Sequence, residues 1–300
     1  MRKRGERIVQ QTEPSPSKAE PLAIDRDADG PTLMRAVLRN GLQQVLANAS
    51  EVAEGSESPD VIHQARVGLR RLRTALRELA PLSPAIDPRW EPALREPFVH
   101  RGERRGDDAV AAAVRPTLEA AGAPKRSWTP PRFDSSGSIV REPALQATLL
   151  EILALGHASA DRFAAVEHGK LTRLIAKRLS QLDGAVRRDG RVFQKLATER
   201  QHRVRKRVKR LRYLAEFVSP LWSDNAVSHY IDRLKPAQEA LGAHNDGLVA
   251  AERFRHEAKT DASAWFAVVW LEFRSTVTSR EARKALPRLD KKGRPFWQHK

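Results

Sequence analysis

Two segments of this chain carry the same pattern of histidine and basic residues, 139 residues apart. The first runs from His63 to Arg73 and the second from His202 to Arg212. Because an α-helix turns by about 100° per residue, the histidine and three of the basic residues in each copy lie within roughly 80° of arc. These residues are His63, Arg66, Arg70 and Arg73 in the first copy, and His202, Arg205, Lys209 and Arg212 in the second.

The opposite arc of each segment is apolar. It carries Ala65, Leu69, Leu72 and Leu76 in the first copy, and Val204, Val208, Leu211 and Ala215 in the second. We therefore predict two amphipathic helices, each burying one side and presenting a ladder of basic groups about 15 Å long on the other.

The density of positive charge indicates an anionic ligand. The segment from 200 to 212 holds eight Lys or Arg residues in thirteen, with acids only at its flanks. Each pair of like charges four residues apart destabilises an isolated helix by about 0.2–0.5 kcal/mol. A solvated helix face is the ordinary alternative, but two copies in register favour a bound polyanion.

The composition limits the class of protein without choosing the anion. The 300 residues carry a net charge of +17, which fits nucleic acid, a phosphate polymer or an anionic membrane surface. The chain has no cysteine, so disulfides and thiolate chemistry are excluded. The basic N-terminus lacks the apolar run of a signal peptide, and the apolar stretches are too short to span a bilayer. We expect a soluble cytoplasmic protein with no membrane insertion.

Hydrophobic periodicity predicts an all-α fold. No segment shows the sustained alternation of a strand. Residues 1–30 are predicted to be a flexible leader because they are polar and proline-containing. Helices are predicted at 31–48, 60–80, 89–99, 107–121, 143–164, 169–187, 191–218, 224–241, 245–258 and 261–284. The stretch 122–142, rich in Gly and Pro, is predicted to be a linker.

The repeat extends beyond the basic helices. A glycine follows the histidine after 39 residues in the first copy, at Gly102, and after 40 in the second, at Gly242. We therefore predict a single helical domain, 31–300, made of two repeats at about 31–122 and 143–297. Packing of the two pseudo-symmetric halves against each other would bring both basic faces together over one central groove.

These motifs resemble the CHAD domain, the conserved histidine α-helical domain. The resemblance rests on the two histidine-led helices and on Leu241-Gly242 followed by Asn245-Asp246, and it covers about residues 32–297. It implies two helical bundles around a basic cavity that binds inorganic polyphosphate, often with association to polyphosphate-containing granules. The polyphosphate-binding residues that we expect are His63, Arg66, Arg70, Arg71, Arg73, Arg77, His202, Arg205, Lys206, Lys209, Arg210 and Arg212.

One motif departs from the family pattern. The first-half turn usually reads Leu-Gly-x-x-Arg-Asp, but here an arginine, Arg101, replaces the leucine, and the acid falls at Asp107 or Asp108. Family members are also often fused to a triphosphate tunnel metalloenzyme, whose alternating glutamates do not occur in residues 1–60.

We therefore expect binding without catalysis. The two histidines share a face with the arginines, which favours ligand contact, and no nucleophile, base or metal-ligand pattern accompanies them. No metal or cofactor is expected. The leading alternative is a basic protein that binds nucleic acid, which would also be a non-specific competitor, and a phosphohydrolase using the histidines is a weaker alternative.

Two further patterns receive structural interpretations. Asp25 to Gly30 imitates the start of an EF-hand loop, but position twelve is Ala36 and no helix precedes it, so a turn and helix start is predicted. The aromatic residues of the last helix are predicted to lie in the core; they are Trp265, Phe266, Trp270 and Phe273.

Overall fold

The computed structural model describes residues 15–99, 102–124, 136–286 and 295–298, and these residues contain α-helices, short 3-10 turns and no strands. The predicted all-α fold is thus confirmed. The helices are α1 (Gly30–Ala53), α2 (Pro59–Glu78), α3 (Trp90–Val99), α4 (Gly102–Ala120), α5 (Ser136–Val140), α6 (Pro143–Gly156), α7 (His168–Arg191), α8 (Thr198–Phe217), α9 (Asp224–Glu257) and α10 (Trp265–Ala285).

Local sequence explains where the first helices begin. The side chain of Asp29 caps α1 by accepting a hydrogen bond from the backbone N–H of Thr32 at 2.9 Å. Pro31 follows in the first turn, where its missing N–H costs no helical hydrogen bond. Asp25 to Gly30 therefore forms a turn and a helix start, as the sequence predicts. Helix α2 also begins at a proline, Pro59.

The apolar faces of the two basic helices lie in one large core. Each of the eight residues predicted to form these faces is at most 4% exposed; they are Ala65, Leu69, Leu72, Leu76, Val204, Val208, Leu211 and Ala215. The same core contains apolar residues of α1, α6, α7 and α9. Because each helix is fixed by its apolar side, its basic side must face outward.

A short 3-10 turn follows each basic helix. The turns are Ala80–Leu82 after α2 and Ser219–Leu221 after α8, and they are again 139 residues apart. Each contains a proline at its second position and ends in a buried leucine.

Several helix boundaries differ from the predictions. The two helices predicted at 224–241 and 245–258 are one continuous helix, α9, because its glycines are followed by side chains that pack against α8 and α10. The predicted linker 122–142 contains the short helix α5. Helix α6 ends at Gly156 rather than 164, and α8 begins at Thr198 rather than 191 after a 3-10 turn.

Part of the predicted leader is attached to α1. Ser17 and Asn48 exchange two hydrogen bonds: the Ser17 N–H donates to Asn48 Oδ1 at 3.1 Å, and Asn48 Nδ2 donates to the Ser17 carbonyl at 2.8 Å. Asn40 Nδ2 donates to the carbonyl of Glu20 at 2.9 Å. Residues 15–24, which we call the strap, thus lie along α1.

The aromatic residues of α10 are not all in the core, and that prediction was wrong for two of them. Phe273 is 73% exposed and Trp265 is 49% exposed. Helix α10 buries a different face, which includes Ala267, Val268 and Leu271, against α9 and α4.

None of the helices within the described ranges is long and apolar enough to cross a membrane.

Candidate anion-binding site

Helices α2 and α8 contact each other and border a cleft of about 1030 Å³. The strap, the start of α9 and part of α1 complete its walls. Five of the twelve predicted site residues line this cleft: His63, Arg70, Arg71, Lys209 and Arg212. The structure therefore brings together residues from both copies of the sequence motif.

Lys209 is partly buried close to other basic residues of the site. Burial lowers the pKa of its ammonium group from 10.5 to about 7, and the charges of Arg205 and Arg70 act in the same direction. The carboxylate of Asp246 offsets only part of this effect. A bound anion would offset the positive charges around Lys209 and favour its protonated form.

The two histidines are also close to these positive charges, and the pKa of each is lowered. Partial desolvation lowers the pKa of His63 below 6.5, and the charges of Arg70, Arg66 and Lys209 lower it further. Desolvation also lowers the pKa of His202, together with Lys206, Arg205 and Lys209. We call these seven electrostatically coupled residues the cationic track: His63, Arg66, Arg70, His202, Arg205, Lys206 and Lys209.

Helix α9 positions the second half of the cationic track. The Nδ1–H of His202 donates to Asn245 Oδ1 at 2.8 Å, which leaves Nε2 as the ring nitrogen available to a ligand. Asp246 Oδ1 lies 3.8 Å from a guanidinium nitrogen of Arg205, and Asn245 Nδ2 donates to the same carboxylate at 3.3 Å. Burial lowers the pKa of Arg205, and Asp246 opposes that shift.

A buried histidine joins this arrangement to α10. His244 is 5% exposed, and its Nε2–H donates to Gln201 Oε1 at 2.8 Å. Its Nδ1 lies 3.0 Å from the hydroxyl of Thr278. Because Gln201 immediately precedes His202, these contacts fix the backbone that carries the ligand-facing imidazole.

The remaining predicted site residues are paired with acids. Arg71 forms an ion pair with Glu216 and lies over the rings of Tyr213 and Phe217. Arg212 also binds Glu216, at 2.7 Å.

Three of the predicted cations pair with glutamates on α2 and α3. Arg73 and Arg77 both bind Glu91 of α3, and Arg77 does so at 3.0 Å. Arg210 Nη1 lies 3.3 Å from Glu78, whose side chain is fully buried. These cations connect helices in the structure.

Sequence reasoning did not assign several residues that border or support the site. Asn245 and Asp246 belong to the motif that follows Gly242, but the sequence analysis predicts no role for them. Their position near Gly242 in the repeat is the signal that could have indicated one. Lys18 and Gln44 also line the cleft, and nothing in their local sequence signals this. The altered first-half turn includes Arg101, which lies outside the described residues.

Within the part of the chain that the structure describes, no three His, Asp or Glu residues are grouped so that they could hold a metal ion. The arrangement suits the binding of an extended anion, because Arg donates forked hydrogen bonds to phosphate or carboxylate oxygens and Lys supplies a compact charge.

The fold and site define an all-α protein in which two basic helices share one cationic surface. Residues 36–255 match the sequence profile of the CHAD domain, so the chain belongs to the CHAD domain family. No curated protein sequence is significantly similar to it.

Two solved structures share the fold. The CHAD domain from the plant Ricinus communis is 24% identical, with a TM-score of 0.73, and the match covers 91% of this chain and 96% of that one. PptA from Streptomyces chartreusis is 16% identical, with a TM-score of 0.62, over 88% of this chain and 100% of that one.

Proposed function

We propose that this protein binds inorganic polyphosphate along the cationic track and does not cleave it. The observation that carries the proposal is the convergence of both basic helices on Lys209, whose pKa falls to about 7 in the empty site. A linear polyanion spans such a track, whereas a small anion would meet only part of it.

The track has groups suited to successive phosphates. Arg70 and Arg205 present guanidinium groups from opposite helices, and Lys209 lies near both. An anion bound there raises the pKa of Lys209 and of both histidines, so that binding is coupled to proton uptake. Such binding weakens with added salt because counterions are redistributed.

The acid-paired arginines have a different role in this proposal. Arg71, Arg73, Arg77 and Arg210 hold helices together, and a ligand would have to displace a glutamate to bind them. Arg212 lines the cleft, where it pairs with Glu216 and also donates to Gln238 Oε1 at 3.1 Å.

In the cell, such binding fits a scaffold or a targeting module. We propose a cytoplasmic location and association with polyphosphate-containing granules. The alternative ligand is nucleic acid, because its phosphates would bind the same basic residues.

Charge reversal tests the site. The double substitution Arg70→Glu and Lys209→Glu should weaken binding of long-chain polyphosphate by at least about 100-fold, since a hydrogen bond to a charged group contributes about 1.5–3 kcal/mol. The control matched in charge is the double substitution Lys195→Glu and Arg203→Glu, because both residues are exposed and Arg203 lies roughly 120° around α8 from Lys209. Circular dichroism checks that helicity is retained.

Equal losses of polyphosphate affinity in the control and in the variant with Arg70→Glu and Lys209→Glu would contradict a defined site. Release of orthophosphate from polyphosphate, with or without Mg²⁺ or Mn²⁺, would contradict the non-catalytic part of the proposal.

A further inference from the structure

Part of the cleft lining has a chemistry that does not match inorganic polyphosphate. The strap contributes Lys18 to Leu22 and Ile24 to this lining. The strap is held by the hydrogen bonds of Asn48 and Asn40, and Asn48 is only 1% exposed. This wall is therefore a fixed part of the structure, and it precedes the residues that match the family profile.

Apolar side chains form part of this lining. Leu22 and Ile24 of the strap and Ile231 of α9 all line the cleft and are half-buried against the core. A fully ionised phosphate chain gains nothing from such walls, because apolar surface stabilises only apolar groups. The cleft volume of about 1030 Å³ also matches the upper range of small-molecule sites, about 300–1,000 Å³.

This lining also contains hydrogen-bond acceptors, beside the donors Lys18 and Ser228. Gln44 is 3% exposed and lines the cleft, and its Oε1 is buried with no hydrogen-bond partner. Its Nε2 is already used, since it donates to Gln64 Oε1 at 3.1 Å. The carboxylates of Glu20 and Asp224 also border the cleft. A buried acceptor without a partner destabilises the protein, and a ligand that donates a hydrogen bond to it would remove that cost.

Inorganic polyphosphate cannot supply these donors, because its oxygens at neutral pH are almost entirely ionised acceptors. A ligand that satisfies the whole cleft needs phosphates for the basic side chains and an apolar group bearing N–H or O–H donors for the rest of the lining. Nucleosides have this chemistry: a flat ring, hydroxyl groups and, in several bases, an exocyclic amine.

We infer that the cleft also binds nucleoside polyphosphates, with the phosphates at Arg70 and Lys209 and the nucleoside between the strap and α9. The inference rests on the proposed function for the phosphate half of the ligand. It adds an organic-ligand site to a polyanion-binding surface.

The wild-type protein decides the main point. The affinities of ATP, GTP and inorganic tripolyphosphate are measured by calorimetry at one ionic strength, in EDTA and without divalent cations. A nucleoside triphosphate carries one negative charge fewer than tripolyphosphate, so a purely electrostatic site binds tripolyphosphate more tightly. We expect at least one nucleotide to bind at least about tenfold more tightly than tripolyphosphate, as burial of part of a nucleoside would give.

Two variants locate the nucleoside. Ile231→Ser removes apolar wall and Gln44→Met removes the unpaired acceptor, and each should abolish the preference for the nucleotide. Affinity for tripolyphosphate should stay within about twofold of the wild type in both, which also reports that the site is folded. Ile231→Val is the matched control and should keep the preference.

The outcomes separate the two proposals. Tighter binding of tripolyphosphate than of both nucleotides overturns the inference and leaves the polyphosphate proposal in place. A nucleotide preference that survives both variants overturns the assigned location. Failure of long-chain polyphosphate to bind the wild type overturns the proposed function. The comparison of nucleotides with tripolyphosphate is a separate measurement and decides the inference on its own.

Discussion

Replacement of Lys209 by methionine should stabilise the empty protein while it weakens ligand binding. In the folded state the pKa of Lys209 is about 7, because of burial and the charges of Arg205 and Arg70, against 10.5 for a lysine side chain exposed to water. Charging this amine is therefore harder in the folded protein than in the unfolded chain. Methionine fills similar space without the charge.

The magnitude and its pH window follow from linkage. One pKa unit corresponds to about 1.36 kcal/mol, so the difference from 10.5 to about 7 corresponds to about 5 kcal/mol before solvent screening. Because Lys209 keeps some solvent contact, we expect a gain of about 2–4 kcal/mol for Lys209→Met. A depressed lysine pKa destabilises most below pH 7, and the penalty disappears as the pH rises towards 10.5.

The assay is urea unfolding at pH 6.5 and pH 9.5 in buffers without phosphate or sulfate, about 3 pH units apart and spanning most of that window. The difference between Lys209→Met and wild type should be largest at pH 6.5 and should shrink at pH 9.5. Arg203→Met is the control and should change the free energy of unfolding by less than about 0.5 kcal/mol. A variant less stable than wild type at pH 6.5, or a difference independent of pH, would refute the reasoning.

Three further predictions concern the surroundings of the site. Polyphosphate affinity should fall as the pH rises from about 6 to 8.5, because bound anion raises the pKa of Lys209 and the histidines; pH-independent affinity would contradict the coupling. Asn245→Ala should lower the pKa of His202 further, since their hydrogen bond raises it, and should weaken binding several-fold; an unchanged pKa by NMR titration would exclude this role. Glu78→Ala should cost about 3 kcal/mol in urea unfolding, because Arg178 at 2.6 Å and Arg210 at 3.3 Å would lose a fully buried partner, and a loss below about 1 kcal/mol would show that they find another.

The sequence was sufficient for the all-α class and for the inward and outward faces of the basic pair, although several helix boundaries were wrong. Spacing of three and four residues predicts the buried faces of α2 and α8, because a helix has only one side free for the core. It also predicts that His63, Arg70 and Lys209 point away from that core. Their convergence on one cleft was a prediction of the repeat and the family resemblance.

Contacts between distant segments could not be predicted in the same way. Nothing near Arg73 or Arg77 indicates that Glu91 binds both, because that contact depends on how α3 packs on α2. The strap was predicted as leader for the same reason: its attachment depends on Asn48, 31 residues from Ser17.

Two errors came from local rules that packing overrode. The sequence predicts a helix end at residue 241, just before Gly242. Helix α9 continues through this position because Asn245 and His244 are held by α8 and α10. The exposure of Phe273 shows that an aromatic residue in a helix does not by itself identify the core.

The most direct test of the proposed function is competition for the cleft at about 0.15 M salt, where screening is physiological. Labelled long-chain polyphosphate is bound to the protein and challenged with unlabelled polyphosphate, duplex DNA, RNA or orthophosphate at equal phosphate concentration. We expect unlabelled polyphosphate to displace the label and the nucleic acids to leave most of it bound. Displacement by duplex DNA as effective as that by polyphosphate would contradict a polyphosphate-specific site.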